Sequence, residues 1–321
     1  MVSLDKVRAA AERIRPYVVR TPLERSAALS ELCQREVWLK LECFQRTGSF
    51  KLRGALNALQ TLTADQRKRG VVTASAGNHG LGVAHAAALL GVRATVVVPE
   101  AASRAKIAML RSFAGTELLL RGSNYDIAEH EARQVVQQSG AVFVSAYNDP
   151  AVIAGGGTIA LEILEDLPEA KTLIVPAGGG GLISGVAIAA HGIDPTRIIY
   201  GVQSEASPAL HAAQQAGHLT TVTIEDSLAD GLAGNVEHGS ITFDLIQQHV
   251  HGIALVTEAD IAHAMRFLLE HEHVLAEGSA AVGVAALRQG LVNLDAHLPA
   301  VVIVTGRNVA ASVLRQYVFD S

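Results

Sequence analysis

Short runs of β-branched and aliphatic residues alternate along this chain with longer stretches in which apolar positions recur every three or four residues. "EVWLKL", "GVVTAS", "ATVVVP", "TELLL", "AVFVS", "KTLIVPA", "RIIYGVQ" and "AVVIVTG" read as strands, and most are followed by Ala- and Leu-rich segments of helical period. Such alternation builds parallel sheets covered by helices. Residues 94–98 and 301–305 are apolar on both faces, as strands buried between two helical layers are. The charged first twenty residues predict an amphipathic helix over Leu4–Ile14 and not a leader peptide. No repeat, low-complexity tract or proline-rich linker breaks the pattern, so any division into two units must come from the chain crossing between sheets.

One strand differs from the rest. Val37, Leu39 and Leu41 alternate with Trp38, Lys40 and Glu42, which predicts one polar face. Thr47, Gly48 and Ser49 then end the alternation, Ser49 is placed to cap a helix, and Leu52, Ala55, Leu56 and Leu59 form that helix's apolar stripe. Lys51 falls in the first turn, where the positive end of the helix dipole disfavours a cation. A lysine pushed toward its neutral amine is a nucleophile suited to forming an imine with an aldehyde. Taken alone, the same residue also reads as an ordinary solvated lysine.

Composition narrows the partners. With 321 residues, 49% of them hydrophobic and 18% charged, the chain can bury a sizeable core as a soluble globular protein. A net charge of −5 supplies no basic field for nucleic acid or an anionic membrane. No run approaches the roughly 20 apolar residues of a membrane span. A small polar metabolite is the partner that remains. Cys33 and Cys43 form neither a disulfide framework nor a thiolate metal set, which fits a reducing cytoplasm.

Glycine gathers where strands end, in "SAGNHG", "AGGGGL" and "TGRN", and ligands of open α/β sheets bind outside the carboxyl ends of strands. Gly178, Gly179, Gly180 and Gly181 follow a buried strand and lead into a helix, so consecutive backbone N–H groups can converge on a phosphate. A flexible strand-to-helix turn is the bland alternative. A nucleotide P-loop needs Gly-Lys-Ser/Thr, which is missing, and the dinucleotide spacing G-x-G-x-x-G fails at Ile183. A degenerate G-x-G-x-x-A at Gly155, Gly157 and Ala160 follows "DPAVIA" and reads as a loop leading into a helix.

Together, "TGSFKLRGALNAL", "SAGNHGLGVA", "AVIAGGGTIALEIL", "PAGGGGLISGVA", "ADGLA" and "EGSAAVGVAAL" closely resemble the fold type II pyridoxal-phosphate enzymes, specifically their serine/threonine dehydratase branch, in order from about residue 21 to 308. The resemblance implies an α/β fold of two three-layer αβα domains with mostly parallel sheets, like the tryptophan synthase β-subunit. A small domain at 71–147 would be inserted in a large cofactor domain made of 1–70 and 148–321. Lys51 would carry pyridoxal 5'-phosphate as an imine and then take the substrate Cα proton. Phe50 would pack beside the ring, Asn78 would bond its phenolic oxygen, and Thr305 would meet the pyridine nitrogen. Gly178, Gly179, Gly180, Gly181 and Leu182 would hold the phosphate, while Ser75, Ala76, Gly77, Asn78 and His79 would bind the substrate carboxylate. The implied reaction converts L-threonine or L-serine to a 2-oxo acid and ammonia by loss of water, with a proton from the cofactor phosphate helping the hydroxyl leave. Another 3-hydroxy amino acid, such as 3-hydroxyaspartate or phenylserine, and β-replacement of the cysteine synthase type are the alternatives. So are a dinucleotide enzyme and an inactive binding protein.

The sequence also departs from the branch's pattern. Racemases of the branch carry a second serine where this chain has Ala76, which implies an L-specific dehydratase. Arg46, Gly156, Gly278 and Arg307 replace a usual proline, glutamine, proline and glycine near the expected pocket, leaving the substrate open. Glu205 and the Ala209 carbonyl match two ligands of a divalent or monovalent cation that relatives hold, but His211 stands where an acidic third ligand is usual. The pairs His249/His251 and His271/His273 lack metal-site spacing and read as surface or interface residues. The chain ends soon after "TGRN", so a C-terminal regulatory domain is not expected. Relatives are usually homodimers or homotetramers.

Overall fold

The computed structural model describes residues 2–319 other than 101, 103 and 124. Its strands are β1 (Leu23–Ser26), β2 (Val37–Lys40), β3 (Val71–Ala74), β4 (Ala94–Val98), β5 (Thr116–Leu120), β6 (Val142–Phe143), β7 (Thr172–Pro176), β8 (Ile198–Ser204), β9 (Gly252–Val256) and β10 (Ala300–Ile303). Six form one sheet in the order β1-β2-β10-β7-β8-β9, parallel except where β1 meets β2. The other four, in the order β5-β4-β3-β6, are all parallel and come from residues 71–143. All eight strands expected from the pattern form. β1 and β9 are additional, and both are sheet edges whose short segments carry no alternating signal. No helix among the described residues is long and apolar enough to cross a membrane.

The first helix takes the length its pattern predicts. Leu4–Ile14 is helical, with the Ser3 hydroxyl accepting from Lys6 N–H at its start. Pro150–Asp166 begins at Pro150, whose missing N–H costs nothing in a first turn, after Asp149 caps Ala151 and Val152. The degenerate glycine pattern at Gly155, Gly157 and Ala160 therefore lies inside this helix and not in a loop leading to it. Its glycines serve contact: a Cβ on Gly155 would stand 2.5 Å from the Arg53 carbonyl oxygen, and one on Gly157 2.6 Å from that of Gly185. Three helices, Lys51–Gln60, Pro150–Asp166 and Gly181–Ile193, thus approach at backbone distance. The opposite face of Lys51–Gln60 sends Leu52, Leu56 and Leu59 into a core shared with Val71, Val83 and Ala86. This helix is packed between Pro150–Asp166 and the helix Asn78–Leu90.

The polar face of β2 does not meet water. Lys40 and, just beyond the strand, Glu42 are fully buried, and with Arg53 and Glu162 they make an internal cluster of two cations and two carboxylates. Lys40 Nζ lies 2.6 Å from Glu162 Oε2, while Arg53 reaches Glu42 Oε1 at 2.8 Å and Glu162 Oε1 at 2.7 Å. Thr21 donates to Glu42 at 2.5 Å, and Lys40 donates to the Thr21 carbonyl at 2.7 Å. Burial pushes the Glu162 carboxyl up, but Arg53 and Lys40 outweigh it and hold the group below the usual carboxylate range.

Removing one partner of such a cluster leaves the others charged in a dry interior. Arg53→Met is expected to lose about 3–5 kcal/mol of stability, read from the urea midpoint of the cofactor-free protein. A loss under about 1 kcal/mol, the range of exposed pairs, would show that the cluster does not hold this helix in place.

Candidate active site

Lys51 is the first residue of its helix, as its spacing predicted, but Ser49 does not cap it. Residues 49 and 50 are held by the turn after β10: Ser49 bridges to Gly306, and Phe50 N–H donates to the Thr305 carbonyl at 3.0 Å. The Ser49 hydroxyl is left buried without a partner, and Phe50 takes the cap position with no side-chain bond. The same contacts bring Thr305 beside Phe50. Thr305 is 3% exposed, and its hydroxyl has no hydrogen bond among the described residues.

Lys51 Nζ lies 5.2 Å from the centre of the Phe50 ring and donates to the Ala146 carbonyl at 3.0 Å. Burial lowers its pKa from 10.5 to about 8, against the nearby Glu277 carboxylate, which favours the ammonium. The sequence pointed to the helix dipole as the cause of a depressed pKa; in the folded protein, desolvation by burial is the cause. Next to Ala146, the Tyr147 ring lies against the glycine loop: a Cβ on Gly179 would stand 2.4 Å from it, and one on Gly181 2.8 Å from the Tyr147 Cα. The lysine and the loop are thereby linked through two consecutive residues.

The loop itself follows β7. Gly180 has φ +88°, a left-handed conformation open to glycine, and begins the helix Gly181–Ile193 without a side-chain cap. Positions 178–181 are packed from outside by Leu232, Tyr147 and Thr242, so no side chain can occupy them and first-turn N–H groups remain for an anion. Leu182 is buried beneath, with its side chain near Gly156. β7 and β10 are neighbours whose following loops carry the glycines and Thr305, the switch point at which open α/β sheets bind ligands.

The loop 75–79 follows β3. Gly77 N–H donates to Ser75 Oγ at 3.1 Å, Ala76 brings only a methyl group, and Asn78 starts the helix Asn78–Leu90. His79 is buried; its Nε2 faces the Val144 carbonyl at 3.0 Å and so carries the proton, while Nδ1 has no partner. Burial and the Lys51 charge pull its pKa to about 3, so the imidazole is a neutral strut, and only its backbone is available to a ligand. Asn78 donates to Glu277 Oε1 at 2.6 Å and accepts from Asn308 Nδ2 at 2.7 Å. Glu277, Asn308 and Tyr147 are residues to which sequence reasoning gave no role. The first two lie inside the motifs "EGSA" and "TGRN", the only signal that could have found them.

Other expectations lie apart from Lys51. Glu205 is exposed, Ala209 begins the helix Ala209–Ala216, and His211 turns Nδ1 to the Ile253 carbonyl at 2.6 Å, away from any shared ligand set. No group of three or more His, Cys, Asp or Glu fit for a metal occurs among the described residues. Arg46 and Arg307 line a cavity of about 320 Å³ with Thr47, Gly48, Asn308 and Phe113. Arg307 is exposed, its guanidinium 5.2 Å from the centre of the Phe44 ring. Gly278 lies against the Leu228 carbonyl, where a Cβ would be 2.2 Å away. His191 and His249 face each other through Nδ1 atoms at 3.2 Å, with His251 nearby.

An amine of lowered pKa, a side-chain-free anion cradle and an unclaimed buried hydroxyl are what a phosphorylated pyridine aldehyde requires, so the residues fit pyridoxal phosphate. Comparison with known proteins agrees. The pyridoxal-phosphate dependent enzyme family matches residues 14–306. The L-threonine ammonia-lyase of Thermotoga maritima is 43% identical over 315 residues, 98% of this chain and 77% of that protein. The catabolic L-threonine dehydratase of Escherichia coli is 39% identical over 318 residues, covering 98% and 95%. The structure of maize serine racemase superposes with a TM-score of 0.93 at 34% identity, over 98% of this chain and 96% of that one. This chain belongs to the pyridoxal-phosphate dependent enzymes.

Proposed function

We propose that this enzyme is an ammonia-lyase that converts L-threonine and L-serine to a 2-oxo acid and ammonia by eliminating water. The observation that carries this is Lys51: an amine depressed to about 8, beside an anion cradle, in a chain 43% identical to an L-threonine ammonia-lyase. Gly178, Gly179, Gly180, Gly181 and Leu182 would hold the cofactor phosphate, Phe50 its ring face, Asn78 its phenolic oxygen and Thr305 its ring nitrogen. When bound, pyridoxal phosphate supplies an electron sink for the pair left at the substrate Cα. A neutral hydroxyl at Thr305, in place of a carboxylate, leaves that sink mild, which suits an elimination.

The chain's own groups do the rest. First-turn N–H groups at 78–80 and the turn at 75–77 bind the α-carboxylate. Lys51 Nζ, in its neutral form, accepts the Cα proton. The Cβ–O bond then breaks, the hydroxyl leaves as water with a proton that the cofactor phosphate would supply, and the enamine released takes up water to give the 2-oxo acid and ammonia. Ala76 offers no proton on the opposite face. Unlike the serine racemase it superposes on, this enzyme is therefore L-specific. Residues 71–147 act as a small domain that closes over substrate, with the Arg133–Glu237 ion pair at 3.2 Å tying it to the large one. The proposal extends, by family resemblance, to a cytoplasmic assembly of two or four copies.

A panel of 3-hydroxy amino acids assayed for 2-oxo acid and ammonia should show L-threonine and L-serine turned over, and no turnover by Lys51→Ala; inactivity on both substrates would reject the assignment. L-Serine should yield pyruvate with no appreciable D-serine, and D-serine accumulating at a rate near that of pyruvate would reject the specificity. In the cofactor-free protein, labelling of Lys51 by an amine-selective reagent should reach half its maximum near pH 8, because lowering the pKa opens the neutral form at lower pH. A midpoint near that of ordinary lysines, about 10.4, would show that burial does not set its state.

A further inference from the structure

Asn78 and Asn308 are joined in a hydrogen-bond chain that has one workable direction. Asn308 Nδ2 donates to the Thr47 carbonyl at 2.8 Å and to Asn78 Oδ1 at 2.7 Å, and Asn78 Nδ2 donates to Glu277 Oε1 at 2.6 Å. Both ends are acceptors only, a backbone carbonyl and a carboxylate. Two amides strung between two acceptors must run head to tail, so the ends dictate which atom of each amide is nitrogen. Asn308 uses both of its N–H groups. Asn78 uses its carbonyl and one N–H, and one N–H is left.

Two glycines make room for the chain. A Cβ on Gly48, which has φ +72°, would lie 2.6 Å from Asn308 Oδ1, and one on Gly306 would lie 2.4 Å from Glu277 Oε1. Asn308 and Glu277 thus lie directly against these two glycines, in space that any larger residue there would take. Turning the Asn78 amide over would set its Nδ2 against the Asn308 Nδ2 and its carbonyl oxygen against the Glu277 carboxylate, two repulsive contacts in place of two bonds.

We propose that Asn308 and Glu277 are positioning residues that lock Asn78 as a hydrogen-bond donor toward the cleft, so that the oxygen it meets on the cofactor is held as an acceptor. This rests on the assignment of Asn78 to the phenolic oxygen of pyridoxal phosphate. A donor at that oxygen favours its anionic form and thus tunes the bound chromophore as well as its affinity.

Asn308→Asp tests this at constant volume, since it puts an oxygen where Nδ2 faces two acceptors. Pyridoxal phosphate titrated into the cofactor-free variant should bind about tenfold more weakly, the loss expected for one hydrogen bond to a charged group. The ratio of visible to near-ultraviolet absorption of the bound cofactor should also fall. The KM for L-threonine should stay near wild type. Glu277→Gln retains an oxygen for Asn78 and should keep the absorption ratio, whereas Glu277→Leu should reproduce the Asn308→Asp defect. Wild-type affinity and absorption in Asn308→Asp overturn the proposal. If that variant does not fold, the Glu277 pair decides: Gln intact and Leu impaired supports it, and equal behaviour of the two overturns it. Failure of the cofactor assignment would look different, as wild-type protein that acquires no visible absorption, or the same absorption in Lys51→Ala.

Discussion

Arg53 lies in the dark interior of the protein between Glu42 and Glu162, and the placement of the chemistry follows from that arrangement. Its guanidinium bonds both carboxylates, one from the end of β2 and one from the helix Pro150–Asp166. A fork of fixed geometry fits two carboxylates in one orientation only. The helix Lys51–Gln60 therefore cannot slide or rotate without stranding buried charges, a cost far above what apolar packing alone would impose. Lys51 is two residues upstream of this anchor. A buried ion cluster is a poor source of net stability compared with apolar residues of equal volume, but it fixes register, and register is what a reactive amine needs.

Close backbone approach does the rest of the positioning. Gly155 and Gly157 let the helix Pro150–Asp166 touch its two neighbours, and the loop 178–181 is packed so tightly by Tyr147, Leu232 and Thr242 that it cannot carry side chains. Burial of Lys51 lowers the amine's pKa toward the range where it works. His79 shows the counterpart: burial beside Lys51 takes its imidazole out of proton chemistry and leaves it as a link to Val144. Desolvation thus prepares one group for proton transfer and silences another a few ångströms of packing away.

Much of this was written in periodicity and spacing. Apolar runs of the right length gave eight of the ten strands, and the Leu52, Ala55, Leu56, Leu59 stripe gave the helix that carries Lys51. Edge strands β1 and β9 escaped because "LERS" and "GIALV" carry too little alternation to stand out from their surroundings. Ser49 was a reasonable cap by residue type, yet its backbone is held by Gly306, a partner 257 positions away, and its hydroxyl never reaches the helix.

What the sequence determined by itself was local: which segments are strands or helices, where glycine leaves room for an anion, and that one lysine opens a helix at the end of an alternating run. Those properties depend on neighbours within a few residues, so they are visible in one dimension. Only the tertiary structure decided that Lys40 and Glu42 face an ion cluster and not water, that the Gly155 and Gly157 pattern is a helix contact, and that Asn78, Asn308 and Glu277 form one directed chain. Each of these depends on desolvation or on a partner far outside the local stretch of chain. Charge burial and hydrogen-bond direction belong to the packed molecule, because a polar group's energy is set by what surrounds it in space.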